Sequence, residues 1–185
     1  TAEEVSQFLT ISGAKDEDPG SLRVLTVYVE QATVLTYFKK FLKHHEMVPS
    51  EEVFGDYTPE EFDTLQDFSM RNARSKAVRV AFEAAGKTVE RHVNGIFVTR
   101  VDPNSNFRDK LKVGDIIETI DGKSPGNTDE SFEELRDYLA SLEPGHTLVL
   151  QVKRDDATMS IRGQLKMDSR TGGIRLGFGG EVDED

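Results

Sequence analysis

The chain contains no cysteine, and this absence excludes several functional classes. Disulfide scaffolds, thiolate zinc sites, iron–sulfur clusters and thiol nucleophiles all require cysteine. The absence does not fix the redox compartment, because cysteine-free proteins occur on both sides of a membrane. With 185 residues, of which 36% are hydrophobic, the chain is long enough to bury a core and to form one or two domains.

The sequence also lacks long apolar runs and an excess of basic residues. A membrane span needs roughly 18 apolar residues, whereas the best run, Val24–Val29, is interrupted by Thr26. The 34 acidic and 23 basic residues give a net charge of -11, which argues against nucleic acid or an anionic lipid surface as the main partner. The acidic run Glu181–Asp185 is typical of a solvated tail.

No catalytic or metal-binding pattern is present. None of the twelve serines lies in a nucleophile elbow or dyad context, and Ser75 and Lys76 diverge as neighbours on a helix. His44 and His45 are also adjacent, so on a helix their side chains point about 100° apart and cannot converge on one ion. We therefore expect no catalytic residue, metal site or cofactor in this chain.

The first half of the chain predicts a strand followed by two helices. Residues 1–20 are expected to form a poorly ordered N-terminal segment, and residues 21–87 a strand–helix–helix region. The strand covers Leu22–Val29, and the first helix runs from about Ala32 to Lys43. The long helix begins at the capping box of Thr58 and ends near Gly86. Its apolar stripe, which is interpreted as ordinary core, comprises Phe62, Leu65, Ala73, Ala77, Val80, Ala81 and Ala84.

The second half predicts short strands around one amphipathic helix. Ile96–Val101 and Asp115–Ile120 have the composition of strands, and a hairpin turns at Asp155. Between them, Ser131 and Glu134 form a capping-box pattern that opens a helix. The fold class is therefore α+β, with an N-terminal strand and helices followed by a small β-barrel or sandwich capped by an amphipathic helix.

Two motifs in this half resemble a known family. Residues 94–101 read NGIFVTRV, and Leu111–Lys123 reads LKVGDIIETIDGK. With these motifs, residues 93–165 resemble a bacterial protease-associated PDZ domain. Together with the N-terminal strand, the long helix and the glycine-rich Gly172–Gly177, the order of elements is similar to that of membrane-anchored Lon-like serine proteases that carry a PDZ insert.

The resemblance implies a PDZ domain over residues 88–167, and a linker with the start of a protease domain over residues 168–185. The catalytic Ser–Lys dyad of that family lies further toward the C-terminus, so this piece itself is expected to be inactive. The chain opens at Thr1 without methionine, and we expect it to be part of a longer protein. The resemblance places that protein outside the cytoplasmic membrane, held by an anchor upstream of this chain. Expected partners are protein or peptide substrates and the downstream protease domain, and the family context permits oligomers.

The resemblance also implies a peptide site. An extended peptide would add a strand at an open edge near Gly95–Thr99, and the amides of Asn94 and Gly95 would bind its carboxylate. Leu135 is expected to be exposed enough to line the groove. The alternative is a structural insert that docks on the protease domain or on sister subunits. The expected peptide-binding residues are Val93, Asn94, Gly95, Ile96, Phe97, Val98, Phe132, Leu135 and Leu139.

Overall fold

The computed structural model describes residues 2–4, 23–25, 29–30, 32–42, 46–169 and 172–184. It divides the chain into two compact units, Thr1–Val53 and Phe54–Asp185. The second unit begins earlier than the predicted boundary near residue 87, because the long helix packs on the sheet that follows it. Among the described residues, no helix has the length and apolar character needed to cross a bilayer.

The first unit contains short elements. Strand β1 (Ala2–Glu4) pairs antiparallel with β2 (Arg23–Leu25). Helix α1 (Val34–Tyr37) begins at a capping box on Thr33 and continues as a 3-10 turn over Phe38–Phe41. The rest of the predicted N-terminal segment and strand lies outside the described residues, except Val29, as do Lys43, His44 and His45. Helix α2 (Ser50–Phe54) crosses the boundary into the second unit.

Helix α3 (Pro59–Ala84) is the long helix that the sequence predicts. The Thr58 hydroxyl accepts from the Glu61 amide, the Glu61 side chain accepts from the Thr58 amide, and Gly86 follows the helix with a positive φ of 70°. Only Phe68 and Asn72 of this helix are buried. The interpretation of its whole apolar stripe as core is wrong, because the stripe from Ala73 onward is exposed.

The second unit is organised by a five-stranded antiparallel sheet. Its strand order is β6-β5-β4-β3-β9. The strands are β3 (Val93–Val101), β4 (Ile116–Ile120), β5 (Thr147–Arg154), β6 (Ala157–Gln164) and β9 (Phe178–Glu184). A small hairpin, β7 (Lys166–Met167) with β8 (Ile174–Arg175), connects β6 to β9. The residues after 167, which were predicted to be a linker with the start of a protease domain, include an edge strand of this sheet.

Helix α4 (Asp129–Ala140) lies between β4 and β5 in the sequence. Its N-terminal cap is Thr128, whose hydroxyl accepts from the Ser131 amide, while Ser131 Oγ accepts from the Thr128 amide. The predicted cap was one turn too late, because a serine at the third helical position fills the place for which the pattern requires Glu or Gln. The amphipathic helix itself is confirmed.

The core of the second unit lies between the sheet and α4. Its buried side chains come from all four strands β3 to β6 and from the loops between them. The opposite face of β3 is covered by α3, since the Phe68 ring stacks on Phe97 at a centroid distance of 3.9 Å. The mixed helix-and-sheet fold confirms the predicted α+β class. The core residues are Val98, Phe107, Leu111, Ile117, Ile120, Leu135, Leu148, Leu150, Val152, Ile161 and Leu165.

Phe107 joins the loop after β3 to this core. Its ring is fully buried and meets Phe178 edge-on at a centroid distance of 5.3 Å. The ring also lies against Gly163 of β6, where an added Cβ would come within 2.4 Å of Phe107 Cε1. The loop is therefore fixed by one aromatic side chain that requires a glycine beneath it.

We predict that Gly163→Ala lowers the free energy of unfolding by about 1–3 kcal/mol, because the new methyl overlaps the Phe107 ring. Chemical denaturation measures the change. Gly179→Ala is the matched control, since its Cβ would meet Thr99 Oγ1 at an ordinary 3.6 Å. Equal stability of the two variants would contradict this account of Phe107.

Candidate functional site

Strand β3 has neighbours on both sides. Its residues Ile96 and Phe97 pair with β4, and the whole strand from Val93 to Val101 pairs with β9. The predicted open edge near Gly95–Thr99 is therefore wrong, because the backbone groups there are already used within the sheet. Among the described residues, the two outer strands are β6 and β9.

Strand β9 approaches β3 closely because its residue opposite Val98 is glycine. A Cβ on Gly180 would lie 2.5 Å from Ile96 Cγ2 and 2.8 Å from the Phe97 carbonyl oxygen. Gly177, with φ of 81°, forms the turn that enters the strand, and its carbonyl oxygen accepts from the Asp102 amide. Two glycines thus decide where β9 starts and how near it lies to β3.

Two carboxylates at the end of β9 are buried against arginines. Asp183 and Glu184 are only 1% and 2% exposed. Arg71 donates to Asp183 at 2.8 Å, while Arg79 and Arg91 both donate to Glu184. Asp183 and Glu184 are therefore not part of the solvated tail that the charge pattern indicates, since these ion pairs bind them to α3 and to the segment before β3.

The two outer strands differ in how accessible their backbone is. On β6, the carbonyl oxygen of Arg162 accepts from Lys110 Nζ at 2.6 Å, and that of Gln164 accepts from Asn106 Nδ2 at 2.8 Å. Side chains therefore already occupy hydrogen-bonding groups of β6. In the described part of the chain, β9 has β3 as its one strand neighbour; residues 178–182 are exposed or half-buried, whereas Asp183 and Glu184 are buried.

One flank of α4, which carries Asp129, Phe132 and Leu139, lies toward the end of β9. Arg91 donates to Asp129 at 2.7 Å and also to Glu184, so it connects the first turn of α4 with the end of β9. At 100° per residue, Phe132 and Leu139 lie on the same side of the helix as Asp129. Both are half-buried, and Leu139 packs against the core.

The predicted site residues fall into three positions. Val93 to Val98 form the start of β3, where Gly95, Phe97 and Val98 are buried. Phe132 and Leu139 lie on the flank of α4 described above. Leu135 is 3% exposed and belongs to the core, which corrects its expected exposure. The assignment of the nine residues to peptide contacts stays a prediction.

Sequence reasoning missed β9 itself. The signal was Leu176-Gly177-Phe178, a turn glycine between two apolar residues, followed by Val182. The adjacent acidic residues concealed it, because four charges in five residues indicate solvent rather than a sheet. A pairing partner 77 to 91 residues earlier in the chain has no local signature.

The opposite flank of α4 is fixed by Asp121. Its carboxylate accepts from the Tyr138 hydroxyl and the Val149 amide and lies 2.8 Å from His146 Nε2. Burial by itself raises the pKa of Asp121, but hydrogen bonds from Val149, His146 and Tyr138 outweigh it, and the pKa lies below its ordinary value. The hydrogen bond to Asp121 in turn raises the pKa of the Tyr138 phenol.

PDZ domains are among the domains that can bind an extended peptide as an added strand at an exposed sheet edge. The chain belongs to the PDZ domain family, whose model matches residues 68–165, more than half of the sequence. The predicted PDZ domain is thereby confirmed. No match is found among curated proteins.

Similar solved structures include PDZ domains of SdrC-like proteins from two Listeria species. The one from Listeria monocytogenes is 26% identical, with a TM-score of 0.41 over 47% of this chain and 87% of that chain. The one from Listeria innocua is 25% identical, with a TM-score of 0.41 over 47% and 93%. A protein from Geobacillus thermodenitrificans is 29% identical, with a TM-score of 0.38 over 45% and 93%.

Because Leu135 is buried, a polar substitution at this position should destabilise the fold. Leu135→Asp should lower the free energy of unfolding by at least about 3 kcal/mol, because it removes a core side chain and buries an unpaired carboxylate. Ala140→Asp puts the same group on the exposed face of α4 and should cost about 1 kcal/mol or less. Urea denaturation of both variants measures the difference. A Leu135→Asp protein as stable as the control would contradict the assignment of Leu135 to the core.

The lowered pKa of Asp121 predicts that the free energy of unfolding depends on pH. Because its pKa is lowered in the folded state, its stabilisation is present above the unfolded value of 3.8 and is lost as the pH falls through the folded value. Asp121→Asn should cost about 1–2 kcal/mol at neutral pH. Asparagine tolerates the positive φ of 50° at this position.

The stability difference between wild type and Asp121→Asn should therefore shrink below about pH 4. Denaturation at a series of pH values measures it. Glu118→Gln, which removes a carboxylate from β4, serves as the control. A difference for Asp121→Asn that is constant down to pH 2 would contradict the lowered pKa.

Proposed function

We propose that the second unit binds the C-terminal tail of a protein substrate as an extra strand on β9. The observation that carries this proposal is the position of β9, an outer strand whose free edge lies on the side of the flank of α4. The main chain of the peptide would pair with β9, and its apolar side chains would contact that flank. The chain itself performs no chemistry in this proposal.

The direction of the peptide follows from the sheet. Every pairing in it is antiparallel, so a peptide added in the same manner runs from the Glu184 end of β9 to the Gly177 end. Its carboxylate then lies near Gly177, beside a small cleft of about 90 Å³ that Lys166 and Arg175 line together with Asp102. Arg175 pairs with Asp102, and Lys166 donates to the Asn104 carbonyl oxygen. The expected placement of the carboxylate at Asn94 does not fit this direction, because Asn94 lies beside Asp183, at the other end of β9.

The predicted peptide-binding residues take different roles under this proposal. Phe132 and Leu139 of α4 form the wall that meets apolar side chains of the peptide. Ile96, Val98 and Leu135 form the floor beneath them, and their role is to hold the wall and the edge in place. Phe97 faces α3, and the remaining residues of the start of β3 support β9 from behind.

We further propose that the domain selects substrates for a membrane-anchored Lon-like serine endopeptidase outside the cytoplasmic membrane. The resemblance of Leu111–Lys123 and of Gly172–Gly177 to that family supports this parent. The catalytic serine and lysine would lie beyond this chain. The full-length coding sequence tests the proposal, since absence of a downstream serine protease domain would overturn it.

A second candidate function is docking on another protein body without a peptide ligand. The exposed apolar residues of α3 favour it, because Met70, Val80 and Phe82 are all more than half exposed. Light scattering across a range of protein concentrations would detect self-association, and the peptide titration below decides between the two functions.

Peptide titration tests the proposed site directly. With a peptide chosen from a C-terminal library, the backbone amide NMR signals of β9 and α4 should shift, and those of β6 should not. Leu139→Ala should weaken binding by roughly tenfold, as expected from about 1.5 kcal/mol of lost apolar contact. Met159→Ala is the control, because Met159 is a similarly half-buried residue on β6. No binding at millimolar peptide with the fold intact, or shifts confined to β6, would overturn the proposal.

A further inference from the structure

A cavity of about 170 Å³ lies beyond the end of β9. One side of the cavity is formed by α3 and another by the segment before β3, with Glu184 at its edge. The lining residues are Arg74, Ser75, Val78 and Arg79 of α3, and Val89, Glu90 and Arg91 of that segment. It lies within the second unit, at the end of β9 opposite Gly177. None of the nine residues that were expected from the sequence to bind a peptide lines this cavity.

The cavity is rich in arginine, but two of its arginines are already paired, Arg79 with Glu83 and Glu184, and Arg91 with Asp129 and Glu184. Three arginines line it, against the carboxylates of Glu90 and Glu184. Glu184 is already neutralised by Arg79 and Arg91. Within residues 71–79 the sequence places three arginines and a lysine with no acidic residue, although the whole chain carries a net charge of -11.

Donors in this cavity are left without acceptors. Arg74 has no ion-pair partner among the described residues, and it is exposed. Arg79 Nε is buried and has no hydrogen-bond partner in the same part of the chain. Val78 and Val89 supply apolar walls beside these donors. A carboxylate carried on a short apolar stem matches this combination, because guanidinium groups bind carboxylates with directed hydrogen bonds.

The cavity lies at the Glu184 end of β9, toward which the upstream part of the proposed peptide would extend. Strand β9 has seven residues, which span about 23 Å at the usual rise per residue. A peptide with its carboxylate near Gly177 therefore brings its seventh to ninth residues, counted from the C-terminus, level with Glu184 and the cavity.

We infer that this cavity binds an acidic side chain of the substrate, at the seventh to ninth positions counted from its C-terminus, through Arg74 and the neighbouring donors of α3. The inference rests on the proposed strand addition at β9. It adds a second recognition element far from the terminal residue, so that substrates are selected by a C-terminal tail with an upstream glutamate or aspartate.

The test uses ten-residue peptides with glutamate, glutamine or lysine at each of the three upstream positions. Glutamate at one position should bind about three- to tenfold more tightly than glutamine, and the advantage should decrease at high salt. Arg74→Gln should abolish this advantage. Lys76→Gln, which removes a charge from the same helix outside the cavity lining, should preserve it. Arg74→Glu should reverse the preference in favour of lysine.

The outcomes separate this inference from the proposed function. If peptides shift the β9 signals but glutamate, glutamine and lysine bind equally, the cavity assignment is wrong and strand addition stands. An equal loss of the glutamate advantage in Arg74→Gln and Lys76→Gln would indicate only a diffuse charge effect and would also overturn the assignment. If no peptide shifts the β9 signals, the proposed function itself fails.

Discussion

The pairing of β9 with β3 is the interaction on which the candidate site depends. It brings the last strand of the chain beside a strand about 80 residues earlier, and it moves the outer edge of the sheet from β3 to β9. Glycine at position 180 makes this approach possible, because any side chain there would overlap β3. Without β9, the edge near Gly95 would be open, as the motif alone suggests.

Buried charge reinforces this pairing. Asp183 and Glu184 lose almost all contact with water and gain hydrogen bonds from Arg71, Arg79 and Arg91. Removing one partner of such a pair leaves an uncompensated charge, which is costly in a protein interior. The same contacts fix α3 against the sheet, so the long helix, the outer strand and the first turn of α4 form one connected network. The arginine-lined cavity is a consequence of this arrangement.

The two flanks of α4 are held by different chemistry. On one side, Asp121 accepts hydrogen bonds from Tyr138 and Val149, and this cluster positions the helix against the turn after β4. On the other side, Arg91 bridges Asp129 and Glu184. Leu135, between the flanks, faces the core. Under the proposed function, the residues that would contact a ligand are Phe132 and Leu139 of the second flank, both of which are half-buried.

The sequence by itself determined the elements whose signals are local. The Thr58 cap and Gly86 bound the long helix, the turn at Asp155 bounds a hairpin, and the motif around Gly114 and Asp115 identifies the PDZ family. Tertiary structure alone decided which strand is outermost, which apolar residues of α3 are buried, and that Leu135 is core. These properties depend on partners distant in the chain. A run of acidic residues has the same local pattern whether it is solvated or, as for Asp183 and Glu184, paired with arginines from distant parts of the chain.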